Sequence, residues 1–529
     1  MTSAPETPPD DSGPEAIRRN FAAVASATDT PAPGDGCRLP AVNLSQPIST
    51  LARTVGMILR SAPIFRFGES LSTVDESGRI AGMTAERFTS WVENWLAFTR
   101  PAADAPKEES IGKDMAGKIM AADQFRFQLR ELKAVSEVRL PVWTGEGGAR
   151  RVELAAEGFD EATGLFTVNR IPYQDDMTDD EAWSVLGGIY QDFAWAEEGE
   201  SRVCHRRSYS AQFAAMVGVY CHELFKEGTP RPMIVYNGNQ SGAGKTLLMR
   251  LAIAAVHDVP GENGKPESES EFEKVLDTAA IERQHYLALD DLSNLRSQAL
   301  NRFVTSPLHR CRLMHSQRMA TVEKVTQVFV SGNRLILTKD LDRRSLVIDL
   351  KEPGDAATKF HKWEITEEWY RAPENRSRML AALWALVRRW REAGMPTMTE
   401  HRRGSFVTWS GVIGGIVMSC GMSNPFAPRM AEDGGDEAGR ALLIVLSRIA
   451  GELPLEPEKI LRPDDILAQA SDQDLLEAIV PPDKDPKKAL GWVIRDLGLP
   501  RHLVDTQGRG FEFKRREITK GTGYVIRFL

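Results

Sequence analysis

The chain has 529 residues, 42% hydrophobic and 26% charged, a globular composition with room for about three or four domains. Its net charge of −8 excludes a global basic field, so any nucleic-acid contact must come from local patches. The cysteines Cys37, Cys204, Cys221, Cys311 and Cys420 form no C-x-x-C pair, which argues against a zinc module or disulfide framework and fits a reducing, cytoplasmic setting.

The chain opens with acids, prolines and small residues and shows no basic-plus-apolar leader. Residues 1–40 cannot bury enough apolar surface to offset ordering entropy and read as a disordered tail. Residues 41–228 read as an N-terminal α+β region. Ile48, Leu51, Val55 and Leu59 keep helical spacing, and Ile64–Phe67 and Leu71–Val74 flank a Gly-Glu-Ser turn as a hairpin would. Thr84 is placed to cap a helix running to about Phe98, with Phe88, Trp91 and Trp95 on one face. Residues 101–116 are linker-like, and Trp91, Trp95 and Trp195 are assigned to core packing. A nucleotide-binding core is expected over 229–370 and a helical subdomain over 371–435. The latter contains a stripe of Met379, Leu380, Leu383, Leu386 and Val387 ending near Gly394. The most apolar run, Gly411 to Met422, is too short to span a bilayer, so no membrane partner is expected. An acidic, glycine-bearing boundary at 431–435 sets off a small domain over 436–529.

The densest signal lies at Gly238-Asn239-Gln240-Ser241-Gly242-Ala243-Gly244-Lys245-Thr246. An apolar strand, Met233 to Tyr236, precedes it and an apolar-striped helix follows from Leu247. Backbone N–H groups of a glycine-rich turn between strand and helix can converge on a polyphosphate. Lys245 would reach the β- and γ-phosphates, and the Thr246 hydroxyl would help hold Mg²⁺. ATP and Mg²⁺ are therefore the expected ligands, with Asn239 to Thr246 binding them. The usual pattern has Gly where this chain has Asn239, and Asn tolerates left-handed backbone angles. Downstream, Tyr286 to Asp291 is an apolar strand ending in two carboxylates, which brings Asp290 to the Mg²⁺ beside Thr246. Gln327 to Asn333 is a further strand ending in Asn333, a side chain able to hold the lytic water or the γ-phosphate. Arg343 and Arg344 then enter the strand Ser345–Leu350. One suits an arginine finger and the other an ion pair with Asp340 or Asp342, with Arg344 favoured as the finger.

The series NQSGAGKT, LALDDL, VFVSGN and DLDRRS resembles the superfamily 3 helicases, AAA+-like ring ATPases of viruses, phages and plasmids. The match is best over 229–352 and looser over 45–225 and 370–430. The resemblance implies a parallel sheet flanked by helices, with ligand at the carboxyl ends of the strands. It assigns Lys245 and Thr246 to phosphate and metal, Asp290 to the metal, Asn333 to sensing, and Arg343 or Arg344 to the finger. Asp291 stands where many ring ATPases carry a Glu that orients water, and its shorter reach leaves the rate open. A finger supplied from a neighbour implies a homo-oligomer, a hexameric ring.

Two stretches suggest DNA. Between the carboxylate and sensor strands lie Arg310, Arg312 and Arg318, with His309, His315 and then Lys324. In the resembled helicases this interval carries a channel loop that grips single-stranded DNA, and moving arginines could track phosphates. The tail domain shows three helical stretches, around 440–449, 463–470 and from Pro486, followed by extended pieces with glycine turns. That resembles a winged helix, whose third helix usually enters a major groove. Arg509, Lys514, Arg515, Arg516 and Lys520 would decorate its wing, with origin duplex DNA as a second partner. The resulting expectation is an ATP-dependent DNA helicase or replication initiator of a phage, plasmid or integrated element. The alternatives are a ring ATPase acting on protein and a nucleotide-gated regulator or defence sensor with little turnover.

Overall fold

The structure is a computed structural model. It describes residues 39–529 except 69, 76–77, 104, 146, 148–149, 198–201, 259–260, 265, 313–318, 353–364, 401–403, 430–436, 455–457, 471–472, 481–483 and 519–520. The expected tail, all but its last two residues, and the acidic boundary at 431–435 lie outside the described residues. The chain divides into two compact units, Met1–Pro172 and Tyr173–Leu529. Residues 173–228, grouped by sequence with the N-terminal region, thus belong to the second unit.

In the first unit the helix Ile48–Ile58 buries Leu51, Ala52 and Val55, and Ile64–Phe67 pairs antiparallel with Ser70–Val74 as expected. The Thr84 hydroxyl accepts the N–H of Arg87 and caps the helix Ala85–Val92. That helix stops short of Phe98. Leu96 and Phe98 are both buried, and this alternation with Ala97 and Thr99 is met by a strand, Ala97–Arg100, pairing parallel with Ala41–Asn43. The stretch expected to be a linker supplies the strand Lys107–Glu108 and the start of the helix Lys113–Ala121. Trp91 and Trp95 pack against the core of this unit, their rings 5.8 Å apart.

The second unit is organised by a five-stranded sheet of β1 (Met233–Gly238), β2 (Glu262–Asn263), β3 (Tyr286–Leu295), β4 (Gln327–Leu337) and β5 (Ser345–Leu350). The order is β2-β3-β4-β1-β5, and every neighbouring pair is parallel. Strands covered on both faces read as unbroken apolar runs, and Met233–Tyr236 and Val328–Val330 are buried throughout. The helix α1 (Arg207–Tyr220) is buried at every position and packs beside α2 (Lys245–His257), with Gln212 Nε2 donating to the Leu248 carbonyl at 3.2 Å. The core on the other side joins Leu287, Leu289, Val328, Val330 and Val347 to residues of the helices α3 (Glu269–Ile281) and α4 (Gln298–Thr305). Beyond the sheet, α5 (Pro373–Glu392) buries the expected stripe and ends before Gly394, whose φ is +84°. The helix α6 (Val407–Ser419) follows.

The tail forms a small α+β core of its own. Beside the three expected helices, which run Glu437–Glu452, Pro463–Gln469 and Pro486–Leu497, there is a fourth, Gln473–Ile479. A strand, Lys459–Leu461, joins Gly521–Phe528, Gly510–Ile518 and Arg501–Val504 in an antiparallel sheet, in that order.

Candidate functional site

At the carboxyl end of β1, Gly238 lies opposite Asn333 of β4 and Leu350 of β5. The chain then loops into α2, whose first residue is Lys245. Two loop residues are left-handed, Gly242 at φ +79° and Gly244 at φ +88°. A Cβ on Gly244 would come within 2.8 Å of the Phe193 ring, and one on Gly238 within 2.8 Å of Lys245 Cδ. The lysine stem thus lies directly against the glycine one place early in the motif. Asn239 is not a left-handed residue, contrary to the reason expected for it. It clamps the loop instead: its Nδ2 donates to the Glu352 carbonyl at 2.8 Å and its Oδ1 accepts the Glu352 N–H at 3.0 Å. Gln240 Nε2 donates to the same carbonyl at 3.2 Å. Ser241 and Gly242 are exposed at the crown of the loop, and Ala243 is buried. Lys245 is buried and donates to the Gln240 carbonyl at 3.0 Å. Burial lowers its pKa, opposed by the charges of Asp291 and Asp290.

The metal-side groups meet across the sheet. Thr246 Oγ1 donates to Asp290 at 3.0 Å from Oδ1 and 3.3 Å from Oδ2. The Ser331 hydroxyl donates to the same Oδ1. A β-bulge begins at this carboxylate. Leu289 pairs with Val330 and Leu292 with Gly332, so Asp290 and Asp291 together oppose Ser331 alone. Asp291 takes the left-handed turn, at φ +57°, and is exposed. Gly332 is the other half of the bulge, since a Cβ there would sit 2.0 Å from the Leu292 carbonyl oxygen. Asn333 Oδ1 is buried with no hydrogen-bond partner among the described residues. A hydroxyl and a carboxylate suit Mg²⁺, the buried lysine and glycine loop suit phosphate, and an orphaned buried acceptor beside them suits a bound water. The residues present thus fit a magnesium-bound triphosphate. The sequence motif assigns Ser331 and Gly332 no role, and the pairing register gives them one.

The two arginines separate cleanly. Arg344 is 18% exposed and is held by Asp340 at 3.1 Å and by the Asn301 carbonyl at 2.8 Å. Arg343 is 66% exposed and, among the described residues, pairs with the opposite oxygen of Asp340, at 2.6 Å. The preference for Arg344 as the outward-reaching group is therefore corrected to Arg343. A buried ionic cluster that sequence reasoning missed lies beside the loop. Asp349 receives Arg429 at 2.7 and 2.8 Å, Arg207 at 3.1 Å, and Asn237 of β1 at 3.0 Å. Burial pushes the Asp349 carboxyl up, but Arg429 and then Arg207 outweigh it and hold it below the usual carboxylate range. Arg429 also meets Asp342 at 3.1 Å, so the segment after α6 is fastened to both the sheet and the turn that carries Arg343.

The arginine-bearing interval forms an antiparallel hairpin, Leu308–Arg312 with Met319–Glu323. Arg310 is exposed on it. Arg312 ends its first strand, and the tip at 313–318, with His315 and Arg318, lies outside the described residues. His309 pairs with Asp277 at 2.6 Å. Lys324, counted with the DNA-facing cations, points inward instead. It donates to the Phe303 carbonyl at 2.5 Å and the Val304 carbonyl at 3.2 Å, and burial takes its pKa down to about 7. It anchors the hairpin base to the end of α4. In the tail domain Lys514 pairs with Glu512 at 3.0 Å, Arg516 pairs with Glu458 at 2.6 Å, and Arg515 lies opposite Tyr524. Arg509 does not decorate the wing. It binds Asp505 at 2.6 Å and the Ala450 carbonyl at 2.8 Å, closing the end of the helix Glu437–Glu452. Lys520 lies outside the described residues. Among the described residues no helix is long and apolar enough to cross a membrane.

Comparison with protein-family models finds no match, and neither does comparison with curated proteins. Among solved structures, the chain is similar to one described as the apo A form of the NrS-1 C-terminal region. The alignment spans 88% of this chain and 96% of that one, at 10% identity and a TM-score of 0.34, a likeness too slight to carry an argument.

Proposed function

We propose that the second unit is a magnesium-dependent ATPase of the P-loop, AAA+-like kind, working as a ring on DNA. The observation that carries this reading is the meeting of Thr246, Asp290 and Ser331 at one point beside the buried Lys245. In this reading Lys245 leaves the Gln240 carbonyl to hold phosphate oxygens, while the loop N–H groups between Gly238 and Thr246 fix the rest of the polyphosphate. Thr246 and Asp290 hold the metal, which when bound draws charge from the phosphoryl group being transferred. Ser331 keeps Asp290 oriented. Asn333 offers its orphaned oxygen to the attacking water, and Asp291, on the bulge, takes its proton. Arg343 completes the site of a neighbouring copy, and the hairpin bearing Arg310 contacts single-stranded DNA. The tail, read as a winged helix, adds a second DNA contact, with origin duplex as its target.

One observation favours a second reading. Asp291 is a short acid in a left-handed turn, and poor reach toward a water would give a nucleotide-gated regulator that binds ATP and turns over little. Phosphate release measured with and without single-stranded DNA separates the two. The motor reading expects steady turnover that DNA raises severalfold. Tight ATP binding with no turnover under either condition would replace it with the regulator.

A further inference from the structure

The outer face of the helix Pro486–Leu497 carries a feature that the site chemistry leaves unused. Its inner face, with Leu490, Ile494 and Leu497, is buried in the tail core. Lys488, Trp492 and Arg495, at helical positions i, i+4 and i+7, are exposed on the other side. Trp492 is the one exposed tryptophan among the described residues, at 48%. Lys484 places its ammonium 5.9 Å from the centre of the Trp492 ring. Two acids near it are committed: Asp485 caps the helix through the Lys488 N–H at 2.9 Å, and Asp464 pairs with Lys487 at 2.8 Å.

We propose that this face is a base-stacking site for single-stranded DNA, with Trp492 as the platform and Lys484 and Lys488 as the phosphate contacts. The charge around the ring selects the occupant. An apolar protein partner would be met by an apolar rim, whereas here cations ring a flat aromatic surface, the complement of a base flanked by phosphates. A duplex keeps both faces of each base covered by its neighbours, so only an unpaired base offers a free face to the indole. The inference deepens the DNA reading and rests on it: beside its duplex contact, the tail would hold a separated strand on this face.

The test uses the full chain without nucleotide and two fluorescent strands of equal length and charge, an oligothymidylate and an abasic backbone. Wild type is expected to prefer the oligothymidylate. Trp492→Ala should weaken that binding about tenfold or more and leave the abasic strand unchanged, since the loss is of stacking. Trp492→Phe should retain most of the affinity, and Lys488→Glu should weaken both strands. The Trp492 emission, taken as wild type minus Trp492→Phe, should be quenched by the oligothymidylate. Equal binding by wild type and Trp492→Ala, or no quenching, overturns the stacking site while the DNA reading stands. Loss of duplex binding alone in Trp492→Ala also overturns it. If wild type binds neither strand, both readings fall together.

Discussion

Asp290 reaches Thr246 by alternation: Leu287 and Leu289 face the core shared with α3 and α4, so Asp290 points to the opposite face, that of α2. The bulge begins at this residue and gives β3 one residue more than β4. The extra residue is absorbed by the left-handed Asp291 and by the missing side chain at Gly332. The contrast between the neighbouring arginines is also a matter of single residues. Arg344 has two fixed partners and little exposure, and Arg343 has one exposed partner. Arg343→Ala is expected to leave ATP binding intact and to lower turnover by about 10³-fold or more, the usual scale for a finger. Arg344→Ala is expected to lower folding stability by about 1–3 kcal/mol through the lost bonds to Asn301 and Asp340. Denaturation curves and single-turnover assays on both variants check this. Doping Arg343→Ala with Lys245→Ala subunits should restore some activity if the finger acts across a boundary. No restoration would remove support for action in trans.

At the scale of elements, the hairpin is the part expected to touch DNA, and its construction says which residues are available. Its base is fixed inward by Lys324 and His309, leaving Arg310 outward. Arg310→Ala should weaken single-strand binding at every sequence and reduce the salt slope by about 0.7, as the loss of one phosphate contact requires. An unchanged slope, from binding measured across a salt series, would take Arg310 out of the interface. How far these elements were legible depends on what burial does to the pattern. The sheet strands announced themselves because burial on both faces leaves continuous apolar runs. The helix α1 did not, because a helix buried at every position has no polar stripe to set its period. The helix from Ala85 was read too long because Trp95 keeps its spacing one turn past the point where the pattern becomes that of a strand. In the site, Lys245, Thr246 and Asp290 were spelled out by local motifs. Ser331, Gly332 and the Asp349–Arg429 pair were not, since their roles depend on strand register and on a partner 80 positions away.

At the scale of the whole second unit, stability is tied to pH by stacked imidazoles at the far end of α2. His257 lies 5.8 Å from His222, 5.5 Å from His285 and 5.4 Å from Tyr286, ring centre to ring centre. Burial, reinforced by His222 and Arg376, takes the His257 pKa down to about 3. The unfolded chain binds this proton near pH 6.5, and the folded chain does not until about pH 3. Stability from this group is therefore full above about pH 6.5 and is lost as pH falls toward 3. His257→Phe should flatten the denaturation midpoint against pH between about pH 6 and 4 relative to wild type. Parallel curves would show that His257 is not held neutral.

The central claim concerns one magnesium-bound triphosphate shared by the loop, β3 and β4. Calorimetric titration of ATP, with and without Mg²⁺, into wild type, Lys245→Ala and Asp290→Asn tests it most directly. The account predicts one saturable, magnesium-strengthened site in wild type, loss of binding in Lys245→Ala, and binding that no longer responds to magnesium in Asp290→Asn. Absence of binding in wild type, or variants that titrate as wild type does, would contradict it.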